Sequence, residues 1–237
     1  MSSTPSADSR ATPEAGLVVA IDGTSGSGKS STSRGVASRL GLRYLDTGAM
    51  FRAMTWWLLR QGIDVHDVDA VTARVDDPEI LSGTDPEGPS ILVDGVDVGL
   101  AIRSDEVNAA VSPVAAVPAV RTRLLEEQRR VITDAMSGDG IVVEGRDIGT
   151  VVWPQAEAKV YLTADPAARA GRRAAEAGGD VTATRASLLE RDRIDSSRAT
   201  APLSKAEDAV WIDTTDYTLE EVIALVCELA EHAGAAS

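Results

Sequence analysis

The chain has 237 residues, is 43% hydrophobic and carries a formal net charge of −14, enough apolar material for one domain with a core and subdomain insertions. So acidic a surface argues against a broad basic face for nucleic acid or anionic lipid. The single cysteine, Cys227, excludes an internal disulfide and any paired-cysteine zinc site.

Residues 1–15 are rich in Ser, Thr, Pro and Ala and lack an apolar h-region, so they read as a disordered tail, not a signal peptide. A single domain is expected over 16–237. It opens on "GLVVAI", a short apolar run that reads as a buried strand. Next comes "DGTSGSGKSS", which fits G-x-x-x-x-G-K-[ST] with Gly23, Gly28, Lys29 and Ser30 in the fixed places. Val36, Ala37 and Leu40 then recur at helical spacing. Strand, glycine loop and helix together predict a nucleoside triphosphate site over Gly23, Thr24, Ser25, Gly26, Ser27, Gly28, Lys29, Ser30 and Ser31. Glycines let backbone N–H groups curl around an anion, and the helix N-terminus adds partial positive charge. Lys29 is expected on the β- and γ-phosphates and the Ser30 hydroxyl on Mg²⁺.

"LRYLDTGAMFRAMTWWLLRQG" predicts a short strand to Asp46 and a helix from Thr47, read as its N-cap. Met50, Phe51, Met54, Trp57 and Leu58 share its buried face, and Arg52 falls off that stripe. "VHDVDAVTARVDD" reads as helix, and "PSILVDGVDVGLAI" as a hairpin turning at Asp94-Gly95, an antiparallel insertion on one edge. Residues 104–136 predict two helices broken at Pro113 and Pro118. "NAAVSPVAAVPAV" within them is too short and proline-broken to span a membrane, so a soluble cytoplasmic setting is expected; a monomer is expected too, though nothing in the sequence sets the oligomeric state.

A buried strand over Ile141–Val143 ends at Glu144. Another strand leads to a helix beginning near Asp165-Pro166, then a charge-dense helix and polar loop, "SLLERDRIDSSRATAPL". A last strand precedes a helix capped near Asp216 or Thr218. Cys227 lies on that helix as packing, and His66 and His232 read as surface residues. Strands alternating with helices give an α/β fold with a central parallel sheet covered on both faces. Ligands bind such sheets at the carboxyl ends of the strands. There the Gly23–Ser31 loop, Asp46-Thr47, Glu144-Arg146-Asp147 and Asp165 are expected to converge.

The acceptor is read from what surrounds this loop. No N-K-x-D guanine motif occurs, and only three of the 23 basic residues are lysine. Base-composition bias and a need for phosphate-gripping arginines both account for that. Seven arginines lie between Arg169 and Arg198. No His or isolated carboxylate is placed as a base for a hydroxyl. A phosphate acceptor needs none, since its second pKa is about 6. Arginines and Mg²⁺ then overcome the repulsion between two polyanions. This pattern points to a nucleoside monophosphate kinase.

"IDGTSGSGKSS", "LDTGAMFR", "VEGRDIGTVVWP" and "RDRIDSSRATAPL", in that order, closely resemble the bacterial cytidylate (CMP) kinases from about Leu17 to Glu231. The resemblance implies a P-loop three-layer fold with an inserted monophosphate-binding subdomain (about 47–125) and a helical lid (about 178–202). It implies ATP as donor, CMP or dCMP as acceptor, and Mg²⁺. Lys29, Arg146 and Arg198 would be catalytic. Arg52, Arg146 and Arg198 would hold the acceptor phosphate. Ser112, Arg121 and Asp147 would read cytosine, with Thr47 closing the pocket, and Arg191 and Asp195 would touch the ribose. Two positions depart from the pattern. Phe51 stands where these enzymes usually carry Tyr, losing a hydroxyl but keeping a ring face, and Glu144 where some carry Asp.

Other readings of these residues remain at this level. Arg146 with Asp147 could be a surface ion pair, and Arg191, Asp195 and Arg198 could form salt bridges along a solvated helix. Ser112 could cap the helix that follows it. Arg169, Arg172 and Arg173 fit a solvated face or an adenine-side lid equally. A kinase for UMP, dTMP or another small phosphorylated acceptor, or a non-catalytic nucleotide-binding regulator, would share the glycine loop.

Overall fold

The computed structural model describes residues 16–177, 180–197 and 204–235. Its main sheet is parallel throughout, ordered β2 (Arg43–Asp46), β6 (Ile141–Gly145), β1 (Val18–Gly23), β7 (Ala158–Thr163), β8 (Val210–Asp213). β1 lies at its centre and is buried along its whole length. Its alternation feeds two cores. Val18 and Ala20 face the layer of α2 (Thr47–Arg60), α4 (Asp105–Ala116) and α5 (Pro118–Met136). Val19 and Ile21 face α1 (Lys29–Leu40) and α8 (Leu219–Gly234). A strand covered on both sides is apolar wherever its side chains only pack, as "VVAI" is.

The insertion is a second, antiparallel sheet of β3 (Ile80–Ser82), β4 (Ile91–Val93) and β5 (Val96–Asp97), preceded by the short helix α3 (Val68–Thr72). The expected turn is present, with Asp94 at φ 50° and Gly95 at φ 77°, the two positive values a type I′ turn needs. Trp57 Nε1 of α2 donates to Asp94 Oδ2 at 3.1 Å, which ties the hairpin to that helix. β3 was not anticipated: three residues with only Ile80 buried carry no readable alternation.

Three expectations on the helices change. The N-cap of α2 is Asp46, whose side chain accepts from Ala49 N at 2.8 Å; Thr47 is the first helical residue. The predicted helix at 65–77 shortens to α3, capped by Asp67. Pro113 does not break α4, which runs through it to Ala116. An interior proline forfeits one ladder bond at about 3 kcal/mol. Buried Val107, Ala110, Val111 and Val114 on either side of it offset that loss. The break falls at Pro118, the first residue of α5.

Beyond β7, α6 (Pro166–Ala177) and α7 (Val181–Ser197) pack on each other beside the glycine loop. Of the two candidate caps of α8, Thr218 does the work, with Glu221 completing a capping box. Cys227 is buried, and burial raises its thiol to about 11, which suits packing. His66 and His232 are exposed, as expected. Among the described residues, no helix is long and apolar enough to cross a membrane.

Candidate active site

The glycine loop leaves β1 at Gly23 and enters α1 at Lys29. A Cβ on Gly23 would sit 1.9 Å from Leu162 O, so the first glycine is demanded by the close approach of β7. Gly28 has open space but φ 87°, so there the backbone conformation selects glycine. α1 has no acidic residue in its first turn and no side-chain cap, which leaves its N-terminal end positive. Lys29 Nζ folds back to Thr24 O at 2.7 Å. Burial, and then the nearby Arg146 charge, hold Lys29 below the usual lysine range.

The loop forms one wall of a cleft of about 680 Å³. Of the residues singled out in the sequence, Ser25, Gly26, Gly28, Lys29, Ser30, Ser31, Thr47, Phe51, Arg52, Ser112, Arg121, Arg146 and Asp147 line it. Gly23, Thr24 and Ser27 are not in its lining; Ser27 is buried, its Oγ donating to Thr24 O at 2.9 Å. Arg191 and Asp195 lie on α7 but their side chains are outside the described structure, and Arg198 lies outside the described residues.

In the same cleft, Asp147 and Arg121 form an ion pair with side chains only 8% and 10% exposed. The guanidinium of Arg121 also lies 5.4 Å from the centre of the Phe51 ring and donates to Ala115 O at 3.3 Å. Asp147 is therefore no surface ion-pair partner. Ser112 is buried inside α4 and faces the cleft, so it is not a helix cap. Thr47 Oγ1 donates to Glu144 O at 2.7 Å, fixing the start of α2 to the end of β6. Arg146 Nη1 donates to Gly23 O at 2.6 Å, so this arginine is tethered to the glycine loop.

Positive charge accumulates here. Arg52 is held below the usual arginine range chiefly by burial, with Asp46 opposing the shift and Arg103 and Arg146 adding to it. A bound anion would relieve that crowding. Arg103, Arg34, Arg172 and Arg173 also line the cleft. Arg103 and Arg34 were missed, because a lone arginine in a single short helical turn or on an exposed helix face carries no signal of its own. Arg169 is not solvated, and through Asp192 of α7 it touches the segment expected as the lid. It is buried beneath the loop, donating to Ser25 O at 3.0 Å, Ala164 O at 3.1 Å and Asp192 Oδ2 at 2.5 Å. Asp165 is outside the cleft; it is exposed and accepts from Ala167 N at 2.7 Å at the start of α6.

Glu144 is buried and accepts a hydrogen bond from Tyr44 Oη at 2.5 Å. Burial, then repulsion from Asp46, raise its carboxyl; Lys29 and bonds from Tyr44 and Ser30 oppose that. Ser30, Glu144 and Asp46 thus present only hard oxygen donors at one corner. No cluster of three or more metal-ligating side chains occurs among the described residues. Such a donor set fits Mg²⁺ held mainly by phosphates and water.

The family model for cytidylate kinase matches residues 19–232. The chain is 58% identical over 221 residues to the cytidylate kinase of Streptomyces avermitilis, covering 93% of this chain and 95% of that protein. It is 56% identical over 216 residues to that of Streptomyces coelicolor, covering 91% and 93%. A crystal structure of an uncharacterized protein from Eubacterium ventriosum, 10% identical, superposes with a TM-score of 0.51 over 92% of this chain and 99% of that one, a likeness of fold alone. With its phosphate loop, arginine-rich cleft and this degree of identity, the chain belongs to the cytidylate kinase family of phosphotransferases.

Proposed function

We propose that the chain transfers the γ-phosphate of ATP to CMP, and also to dCMP, giving ADP and CDP or dCDP. The observation that carries this is the buried Arg121–Asp147 pair over Phe51, in the same cleft as the glycine loop and the arginine cluster. Cytosine presents an amine donor at N4 and acceptors at N3 and O2. Asp147 can only accept and Arg121 can only donate, which matches that edge. Ser112 donates alongside them.

The glycine-loop N–H groups and Lys29 hold the donor's β- and γ-phosphates, and Arg52, Arg146 and Arg198 the acceptor phosphate. An oxygen of the CMP dianion attacks the γ-phosphorus while its bond to the β-bridging oxygen breaks, and ADP leaves with that electron pair. No proton needs removal. Lys29 and Arg146 oppose the charge gathering on the transferred group, and the 2.6 Å tether of Arg146 to Gly23 O keeps the two sets of cations in register. Mg²⁺, held by Ser30 with Glu144 acting through water, would supply further charge neutralisation at the phosphates. An ADP-release assay across CMP, dCMP, UMP and dTMP tests this reading. CMP and dCMP are expected to lead, and a preference for UMP or dTMP, or no turnover, overturns it.

Residues 47–125 serve in this scheme as the monophosphate-binding subdomain and 178–202 as a lid bringing Arg191, Asp195 and Arg198 over the phosphates. Closing excludes water that would otherwise take the phosphoryl group. Amide exchange across 180–197 is expected to slow when CMP and an ATP analogue bind together. Full protection in the free protein would rule the lid out.

A further inference from the structure

Asp22 interrupts an apolar run. It occupies the same face of β1 as Val18 and Ala20, pointing into the layer of α2 and α5. It is 4% exposed, and packing alone gives no reason for a carboxylate there. Its two oxygens are both engaged. Oδ1 accepts from Ile148 N and Oδ2 from Gly149 N, each at 2.8 Å. Those N–H groups open the wide helical turn Ile148–Val152, which begins directly after Arg146 and Asp147. Asp147 O in turn accepts from Val151 N at 2.9 Å and Val152 N at 3.1 Å. Arg129 of α5 holds the far end of the turn, donating to Val152 O at 3.0 Å and Val151 O at 2.9 Å.

We infer that Asp22 is a positioning residue for base selection: by binding both N–H groups of Ile148 and Gly149, it fixes Asp147 against the glycine loop that begins one residue after Asp22. The inference rests on the reading of Asp147 as the group that meets cytosine N4. Two adjacent N–H groups need two acceptor oxygens on one rigid arm, which a carboxylate supplies and an amide does not. Burial raises the Asp22 carboxyl to about 6, with the Gly149 and Ile148 N–H groups opposing the shift, Asp147 adding to it and Lys29 opposing it. At neutral pH it remains the charged, doubly accepting form.

Asp22→Asn keeps the volume, loses one acceptor and sets an NH₂ group against a backbone N–H. The measurement is the ratio of kcat/KM for CMP over UMP in wild type, Asp22→Asn and Asp147→Asn. This ratio does not depend on how much of the sample is folded, so loss of stability alone leaves it unmoved. The ratio is expected to fall in both variants, by about tenfold in Asp22→Asn, the lower end of what a base-edge contact supplies. A fall in Asp147→Asn with no change in Asp22→Asn overturns the positioning role while leaving base reading intact. A fall in Asp22→Asn alone overturns it too, since Asp22 would then act by another route. No change in either overturns the reading of Asp147 and this inference with it. If Asp22→Asn does not fold, Asp22→Glu, with both oxygens on a longer arm, carries the same comparison. Failure of both to fold marks Asp22 as a fold residue only and overturns the inference.

Discussion

Lys29→Met is expected to lower kcat for CMP phosphorylation by about 10²–10³ while leaving the fold and CMP binding in place. Removing one preorganised cation from a transferring phosphoryl group forfeits about 3–4 kcal/mol of transition-state stabilisation. The loss falls on rate because Lys29 meets charge that develops during transfer. The fold tolerates it because, among the described residues, the Lys29 side chain makes one hydrogen bond, Nζ to Thr24 O. Its charge is moreover disfavoured by burial and by Arg146. For a lysine held below its unfolded value, the unfolded chain binds more protons, so this group's contribution to stability rises with pH. At neutral pH the methionine variant should therefore melt no lower than the wild type. The same shift predicts a proton effect. With Lys29 lowered to about 7, most of the free protein carries it neutral at pH 8 to 9, and an incoming polyphosphate restores the ammonium. Binding of an ATP analogue with Mg²⁺ should there take up most of a proton, read by calorimetry in buffers of different ionisation enthalpy. Lys29→Met should abolish that uptake. Turnover within a few-fold of wild type in the folded variant would remove Lys29 from the chemistry.

Asp147→Asn is expected to reduce the preference for CMP over UMP by about ten- to hundredfold. Uracil offers an acceptor at O4 and a donor at N3, the reverse of cytosine. The carboxylate repels that O4, whereas an asparagine amide can donate to it. CMP turnover should therefore drop strongly and UMP turnover little. Asparagine is the informative replacement because Arg121 is almost as buried as Asp147. Truncation to alanine would strand a desolvated guanidinium, at a cost of about 3–5 kcal/mol, and confuse selection with stability. With asparagine, Arg121 retains an acceptor, its bond to Ala115 O and the Phe51 ring. If kcat/KM falls by the same factor for both substrates, Asp147 serves phosphate geometry and base reading lies elsewhere.

What could be read from the sequence was local. "VVAI" gave β1 because a strand buried on both faces is apolar wherever its side chains only pack. Asp94-Gly95 gave its hairpin because few residue pairs accept two positive φ angles, and the glycine loop sits in its expected strand-to-helix context. What could not be read was made by partners far along the chain. Pro113 continues a helix because neighbouring side chains are buried, which no window around Pro113 shows. Arg169 looks like any arginine on a helix face until Ser25, 144 positions away, supplies its acceptor. Asp22 meets Ile148 across 126 positions. Arg121 and Asp147 were each singled out, yet their pairing came only from the packing of α5 beside β6.

The bond from Trp57 Nε1 to Asp94 Oδ2 has an optical consequence. The chain holds four tryptophans. Trp56 and Trp57 ride on α2, Trp153 directly follows the turn after Asp147, and Trp211 stands 60% exposed on β8. Trp57 also has the Arg74 guanidinium 5.3 Å from its ring centre, a fixed charge beside the indole. α6, α7 and the stretch between α7 and β8 contain no indole at all. Emission thus samples the hairpin, α2 and the turn against a constant solvent-exposed background from Trp211. A titration that shifts the emission spectrum registers events on the hairpin side of the cleft, and motion of α7 by itself stays dark.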